Sequence, residues 1–337
     1  MERLTVAVVG AAGLAGREIL RLLGERDEPP GELRLLGSPR TAGATIEEGA
    51  LTAPIRLLAP GVFDGVDLAL FSAGPTVAGE WAPVAAQAGA LVVDLSSRFR
   101  LDEAVPLVVP EVNPESLAGV RERGIVACPS STVVGLTVIL APIAATVGLR
   151  RVVVSTYSGV ASAGRSAVAG LSRETIDLLN GRGLKRTRFA RRLAFNCVPQ
   201  LGDLEPGGAS TLELRAVAET RRVLDQPGLP LDVTAVRVPL FFGLGLSVHL
   251  ETESLLAPDD AVELLRPARG VLVHASPEDA YPTPVEVTGS DATHVGRIRV
   301  DQSVENGLAL WIALDNVGKG AALNAVQIAE LLARDYL

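Results

Sequence analysis

Leu4-Thr5-Val6-Ala7-Val8-Val9-Gly10-Ala11-Ala12-Gly13-Leu14-Ala15-Gly16-Arg17-Glu18-Ile19-Leu20 reads as a strand, a turn and the start of a helix. Leu4–Val9 is an unbroken apolar run rich in β-branched residues, the pattern of a strand buried on both faces of a parallel sheet. Gly10 lets the chain turn tightly. Gly13 and Gly16 let backbone approach an anion and let a helix pack on a sheet. The helix N-terminus then offers N–H groups and a positive dipole end. The spacing is Gly-x-x-Gly-x-x-Gly, a variant of the usual dinucleotide fingerprint in the strand–turn–helix setting that fingerprint needs. The turn is therefore expected to cradle a pyrophosphate on Gly10, Ala12, Gly13, Leu14 and Ala15.

The end of the second strand indicates which dinucleotide. A site for NAD places an acid there to hold the ribose hydroxyls. Gly37-Ser38-Pro39-Arg40-Thr41 has no acid and one guanidinium, which can fork to a 2′-phosphate while Ser38 and Thr41 add hydroxyls. NADP is expected over NAD.

Outward from this stretch, strand-like runs recur at 33–36, 68–72, 90–94, 107–109 and 125–127, with helical segments between several of them, notably 81–88. Such alternation predicts an α/β doubly wound parallel sheet over residues 1–130. Beyond residue 130 the runs 151–157, 231–240 and 246–251 are longer, some alternate, and irregular stretches separate them. They predict a second, α+β domain over 131–319 with a mixed or antiparallel sheet. A glycine-containing turn and an amphipathic helix close the chain, and the helix (320–337) is expected to return to the first domain. Residues 125–149 hold no charge and are long enough to span a bilayer. Pro129, Pro142 and several hydroxyl residues favour a buried strand, turn and helix instead.

Composition narrows the partners. The 337 residues are 48% hydrophobic with a net charge of −8, which argues against nucleic acid or an anionic membrane as partner. Cys128 and Cys197 are the only cysteines, and His249, His274 and His294 share no ligand spacing, so no metal and no disulfide framework is expected. The first residues lack a signal-peptide pattern, which predicts a cytoplasmic protein.

Several motifs together carry a family resemblance: VAVVGAAGLAGREIL (6–20), GSPRTAG (37–43), VVDLSSRFR (92–100), GIVACPSST (124–132), STYSGVASAG (155–164), AVRVPLFFG (235–243) and DNVGKGAALNAVQIAELL (315–332). In these the chain resembles the aspartate-semialdehyde dehydrogenases over nearly its whole length. The resemblance implies a Rossmann-type domain completed by the C-terminal helix and a central domain that forms a homodimer. It implies reversible, NADPH-linked reduction of an acyl phosphate to an aldehyde in amino-acid biosynthesis. It also adds Ser72 and Asn316 to the cofactor residues, and assigns Arg100 to phosphate and Arg237 to the substrate carboxylate. Glu213 and Arg215 stand in the family's acid–lysine substrate set, whose first acid is Leu212 here.

The resemblance breaks where the chemistry is done. The family's cysteine nucleophile falls on Ser131, and its histidine base, seven residues after Arg237, falls on Leu244. Serine needs an adjacent base far more than cysteine does, and a nucleophile and its base act as a unit. His249, five residues along the same strand, should face the opposite way. Cys128, three residues from the nucleophile position, is the candidate for a rescued thiol, and Cys197 is expected in the core. The pattern resembles the USG-1-type relatives, which lack the catalytic pair. Three readings stay open: a silent NADP-binding relative, an active enzyme with a rearranged nucleophile, and a non-catalytic interaction protein.

Overall fold

The computed structural model describes residues 1, 3–49, 51–183, 189–276, 278–279 and 281–337. Two compact units divide the chain: residues 1–130 with 321–337, and residues 131–320.

The first unit opens with β1 (Thr5–Val9), α1 (Leu14–Gly24), β2 (Glu32–Gly37), β3 (Thr45–Glu48), β4 (Leu51–Leu57), β5 (Leu68–Phe71), α2 (Pro75–Gln87), β6 (Leu91–Asp94), α3 (Val120–Arg123) and β7 (Ile125–Ala127). They build a seven-stranded sheet in the order β3-β4-β2-β1-β5-β6-β7. All neighbours pair in parallel except β3 and β4. Val6, Val8, Leu68 and Leu70 are fully buried, as strands covered on both faces require. Pro75 starts α2 because the first helical N–H has no partner to lose.

The second unit contains α4 (Ser131–Val147), β8 (Leu149–Ser158), α5 (Arg165–Leu179), α6 (Thr211–Val223), β9 (Leu231–Arg237), β10 (Leu244–Thr252), α7 (Pro258–Leu265), β11 (Val271–His274), β12 (Thr293–Val300) and β13 (Gly307–Leu314). Its six-stranded mixed sheet runs β11-β12-β13-β10-β8-β9. β8/β9 and β11/β12 are parallel, the rest antiparallel. The uncharged stretch resolves into β7, a short connection and α4. α4 is buried from Thr132 to Leu140 and at Ile143, because β8, β10, β12, β13, α6 and α7 pack on it. Thr137 satisfies its hydroxyl on the Val133 carbonyl, 2.8 Å away. Among the described residues no helix is long and apolar enough to cross a membrane. After a single irregular turn, Gly318–Leu323, α8 (Asn324–Asp335) packs Val326, Ile328, Ala329 and Leu332 into the core of the first unit.

The fold class is the expected one, with differences in detail. Leu107–Val109 is not a strand: it makes one isolated bridge, Leu107 to Ala127. Val109 N–H donates instead to the Asn113 side chain at 2.9 Å, so this apolar run is buried without a ladder. β9 ends at Arg237, short of Leu240. The irregular stretches of the second unit hold α5, α6 and α7. Cys197 is exposed rather than in the core, because it follows Phe195, which turns the chain with φ 55° and is itself 63% exposed.

Candidate functional site

In the first unit the glycine turn is held from both sides. Gly10 N–H donates to Leu36 O at 2.9 Å and Gly13 N–H to Gly10 O at 2.9 Å. The Ser72 hydroxyl reaches Val9 O at 2.9 Å and Gly10 O at 3.2 Å. Gly10 has φ +85°, and a Cβ there would stand 3.0 Å from Ala73 N, so only glycine suits it. A Cβ on Gly16 would collide with the Gly10 carbonyl and Ala11, which explains why the helix needs glycine to lie this close. α1 starts with no side-chain cap and no acid in its first turn. Ala12, Leu14 and Ala15 are half-buried around it. These residues fit a pyrophosphate: a helix start with no side-chain cap, a positive dipole end, and no acid in the first turn to repel an anion. Beyond β2, Arg40 is exposed, and Thr41 donates its hydroxyl to Ser38 O at 3.2 Å, fixing the turn.

A second cluster of this unit lies at the end of β6. Asp94 is fully buried and accepts from Ser96 N at 2.9 Å and Ser96 Oγ at 2.7 Å. Burial pushes its carboxyl up, against those bonds and the nearby Arg100 guanidinium. Arg100 is half-buried and donates to Leu95 O at 2.7 Å. Cys128 belongs to the same cluster and is 1% exposed. Burial pushes its thiol up to about 12, with the Asn324 side chain and Arg100 pulling the other way and Asp94 adding to the rise.

The second unit brings together Arg237, Leu244, Asn316 and Ser131. Arg237 is 7% exposed, and its Nη1 donates to Gly159 O and Ser162 Oγ, each at 2.6 Å, and to Ser158 Oγ at 3.2 Å. Ser158 is the β8 partner of both Arg237 and Leu244. Leu244 is buried between Ser158 and Leu314. Next to it, Gly243 (φ +89°) donates its N–H to Asn316 Oδ1 at 3.0 Å. Asn316 is also buried, and its Nδ2 has no hydrogen-bond partner among the described residues. Asp315 ties this corner down: its carboxylate accepts from Gly289, Val317 and Gly318 N–H at 2.8, 2.8 and 2.9 Å. Its carbonyl accepts from Gly320 N–H at 2.8 Å. A Cβ on Gly320 would come within 2.5 Å of Ser131 Cβ, so the first residue of α4 rests on this glycine.

Glu213 and Arg215 stand apart on α6. Glu213 forms a capping box with Ser210, and its other oxygen accepts from Ala235 N at 2.7 Å. Burial would raise its carboxyl, but the Ala235 and Ser210 groups hold it below the usual value. It props β9 two residues before Arg237. Arg215 is exposed.

Two family models match: one described as semialdehyde dehydrogenase, NAD binding domain, over residues 5–120, and one as semialdehyde dehydrogenase, dimerisation domain, over 140–319. A Vibrio cholerae protein named aspartate-semialdehyde dehydrogenase 2 is 40% identical, with 99% of each chain covered. An Aquifex aeolicus aspartate-semialdehyde dehydrogenase is 41% identical, with 98% of each covered. The crystal structure of aspartate semialdehyde dehydrogenase II from Vibrio cholerae, complexed with ASA, superposes with TM-score 0.96 at 40% identity, covering 100% of both chains. The chain belongs to the aspartate-semialdehyde dehydrogenase family.

Sequence reasoning missed the groups that hold the candidate side chains: Asp94, Asn324, Ser162 and Asp315. Asp315 had a local signal in the glycine-rich 315–320 turn. His249 faces away from the Leu244 corner, on the exposed side of β10, hydrogen-bonded through Nδ1 to Asp301 at 2.7 Å.

Proposed function

We propose that the chain is a dinucleotide-binding member of this family, of the USG-1 type, in which the covalent step is lost. The observation that carries the reading is Leu244. An alkyl side chain is buried at the corner where the family's base falls, one residue from the Gly243–Asn316 bond. A hydroxyl at Ser131 with no imidazole to take its proton is a poor nucleophile. Cys128 does not replace it, since a thiol pushed up to about 12 holds almost no thiolate at neutral pH.

The binding functions have their residues. The α1 turn would hold the pyrophosphate of NADP, and Arg40 with Ser38 and Thr41 its 2′-phosphate. Bound there, NADP supplies hydride transfer. Ser72 keeps the turn in shape from behind. Asn316 carries an unpaired amide donor for an oxygen of the bound molecules. Arg237, oriented by Ser158, Gly159 and Ser162, suits a substrate carboxylate, and the ASA bound in the Vibrio cholerae structure is such a ligand. Arg100 suits a phosphate. Glu213 and Arg215 support the carboxylate site through β9 and α6. The description of the family model that matches residues 140–319, a dimerisation domain, supports a homodimer through the second unit.

The test is incubation with aspartate semialdehyde, NADP and phosphate. No NADPH should form above background, while NADP still raises thermal stability. Robust turnover overturns the proposal.

A further inference from the structure

Two of the three histidines lie side by side in the second unit. His274 ends β11 and His294 is the second residue of β12; the strands pair in parallel and the ring centroids are 5.2 Å apart. His274 Nε2 and His294 Nδ1 are 2.9 Å apart. The outer nitrogens have partners of their own. His274 Nδ1 is 2.7 Å from Asp279 Oδ1, and His294 Nε2 is 2.7 Å from Ser290 Oγ. An ionised Asp279 can only accept, so His274 carries its hydrogen on Nδ1 and leaves Nε2 as acceptor. His294 then donates from Nδ1 and accepts the Ser290 hydroxyl at Nε2. With both rings neutral, every group in the chain is satisfied in one direction.

One added proton still fits. His294 becomes a donor on both nitrogens and the Ser290 hydroxyl reverses to accept. A second proton does not fit, because both inner nitrogens would carry hydrogens at hydrogen-bond distance and the rings would carry like charges. Burial, and then the charge of His274, hold His294 below its ordinary value of 6.5, with Asp279 opposing. Across β12, Ala313 of β13 stands opposite His294. α7, which packs on β11 and β12, turns Ala261 and Leu265 inward and keeps Asp259, Asp260 and Glu263 exposed. Glu278 and Asp291 are exposed too. Among the described residues, Asp279 is the charged side chain that the hydrogen bonds of the pair reach.

Ser290 follows Gly289, whose N–H is the strut to Asp315 described above. The same segment backs on Gly243, where a Cβ would strike the Pro284 carbonyl. We propose that the Asp279–His274–His294–Ser290 chain is an acid-operated latch: double protonation parts the two rings, frees the Ser290 segment and loosens the Asp315–Asn316–Gly243 corner beside Leu244. This holds whether or not the covalent chemistry is lost.

Amide hydrogen exchange on the full chain, corrected for intrinsic rates, tests it. As pH falls from about 7.5 to about 4.5, protection at Gly289 and Gly243 should drop roughly tenfold or more in the wild type. His274→Gln should abolish the drop, because the glutamine carbonyl accepts from protonated His294. Asp279→Asn changes an exposed side chain and removes the charge that favours protonation of the pair, so the midpoint of the drop should move to lower pH. The idea fails if protection is flat in the wild type, or if His274→Gln behaves as the wild type does. Should His274→Gln not fold, an unmoved midpoint in Asp279→Asn is decisive against it.

Discussion

At the scale of single residues, the chemistry turns on which atoms can shed or accept a proton. The two cysteines sit at opposite extremes: Cys197 is exposed, and Cys128 is buried with its thiol pushed up to about 12. Alkylation by iodoacetamide requires thiolate within reach of solvent. Under native conditions at neutral pH, mass mapping should find the label on Cys197 alone, and on both after denaturation. Label on native Cys128 would reopen that thiol as a nucleophile. The Ser131 and Leu244 positions make a stronger demand. If the proposed loss of the covalent step rests on these two positions, Ser131→Cys with Leu244→His should raise NADPH formation by about 10²-fold or more, the range that a positioned base contributes. Either single change should recover little, because the two groups act as a unit. Absence of any gain in the folded double variant would count against these two positions as the ground of the proposal.

Secondary-structure elements show how the sequence conveys, and withholds, this fold. β1, the glycine turn and α1 were legible because an unbroken apolar run gives way to helical periodicity across three glycines. β3 and β4 were not. β3 is short, most residues of both are at least partly exposed, and Pro54 inside β4, opposite Thr45, suppresses a strand reading. Leu107–Val109 misled in the other direction, since an apolar run marks burial and only pairing makes a strand. Of the site, residues borne on motifs were legible, including Arg237, Leu244 and the turn. Their holders Ser162, Asp94 and Asn324 were not, because tertiary pairing alone selects them. The β12–β13 connection allows a test of such pairing. Asp301, between those strands, is pulled down to about 2 by the Ser303 hydroxyl, His249 and the Ser303 N–H. A folded value below the ordinary 3.8 means that the bonds stabilise the fold above 3.8 and lose that contribution as pH falls toward about 2. Urea unfolding across that window should show a smaller loss of stability in Asp301→Asn than in the wild type. Equal losses would mean that the turn contributes no acid sensitivity.

For the whole molecule, chain path matters more than any single contact. The first unit is discontinuous: the chain leaves it after Ser130 and returns at Ala321 to supply α8, which fills its core. The first unit therefore cannot be completed until the whole intervening segment has been closed into a loop, an entropic cost that falls as soon as the second unit is compact. Folding of the two should be coupled. A ligand that binds only the first unit should then stabilise both, by roughly RT ln(1 + [L]/Kd), or about 2.7 kcal/mol at a hundredfold excess over Kd. The sequence supplies one reporter for each unit: Trp81 on α2 and Trp311 on β13 are its only tryptophans. In the Trp81→Phe and Trp311→Phe variants the remaining fluorophore reads one unit at a time. NADP should raise the transition temperature equally in both, NAD should raise it less, and Arg40→Ala should remove the difference between the two nucleotides. If only the Trp81 signal moves with NADP, the units unfold independently and α8 is a lesser part of the first core than its burial indicates.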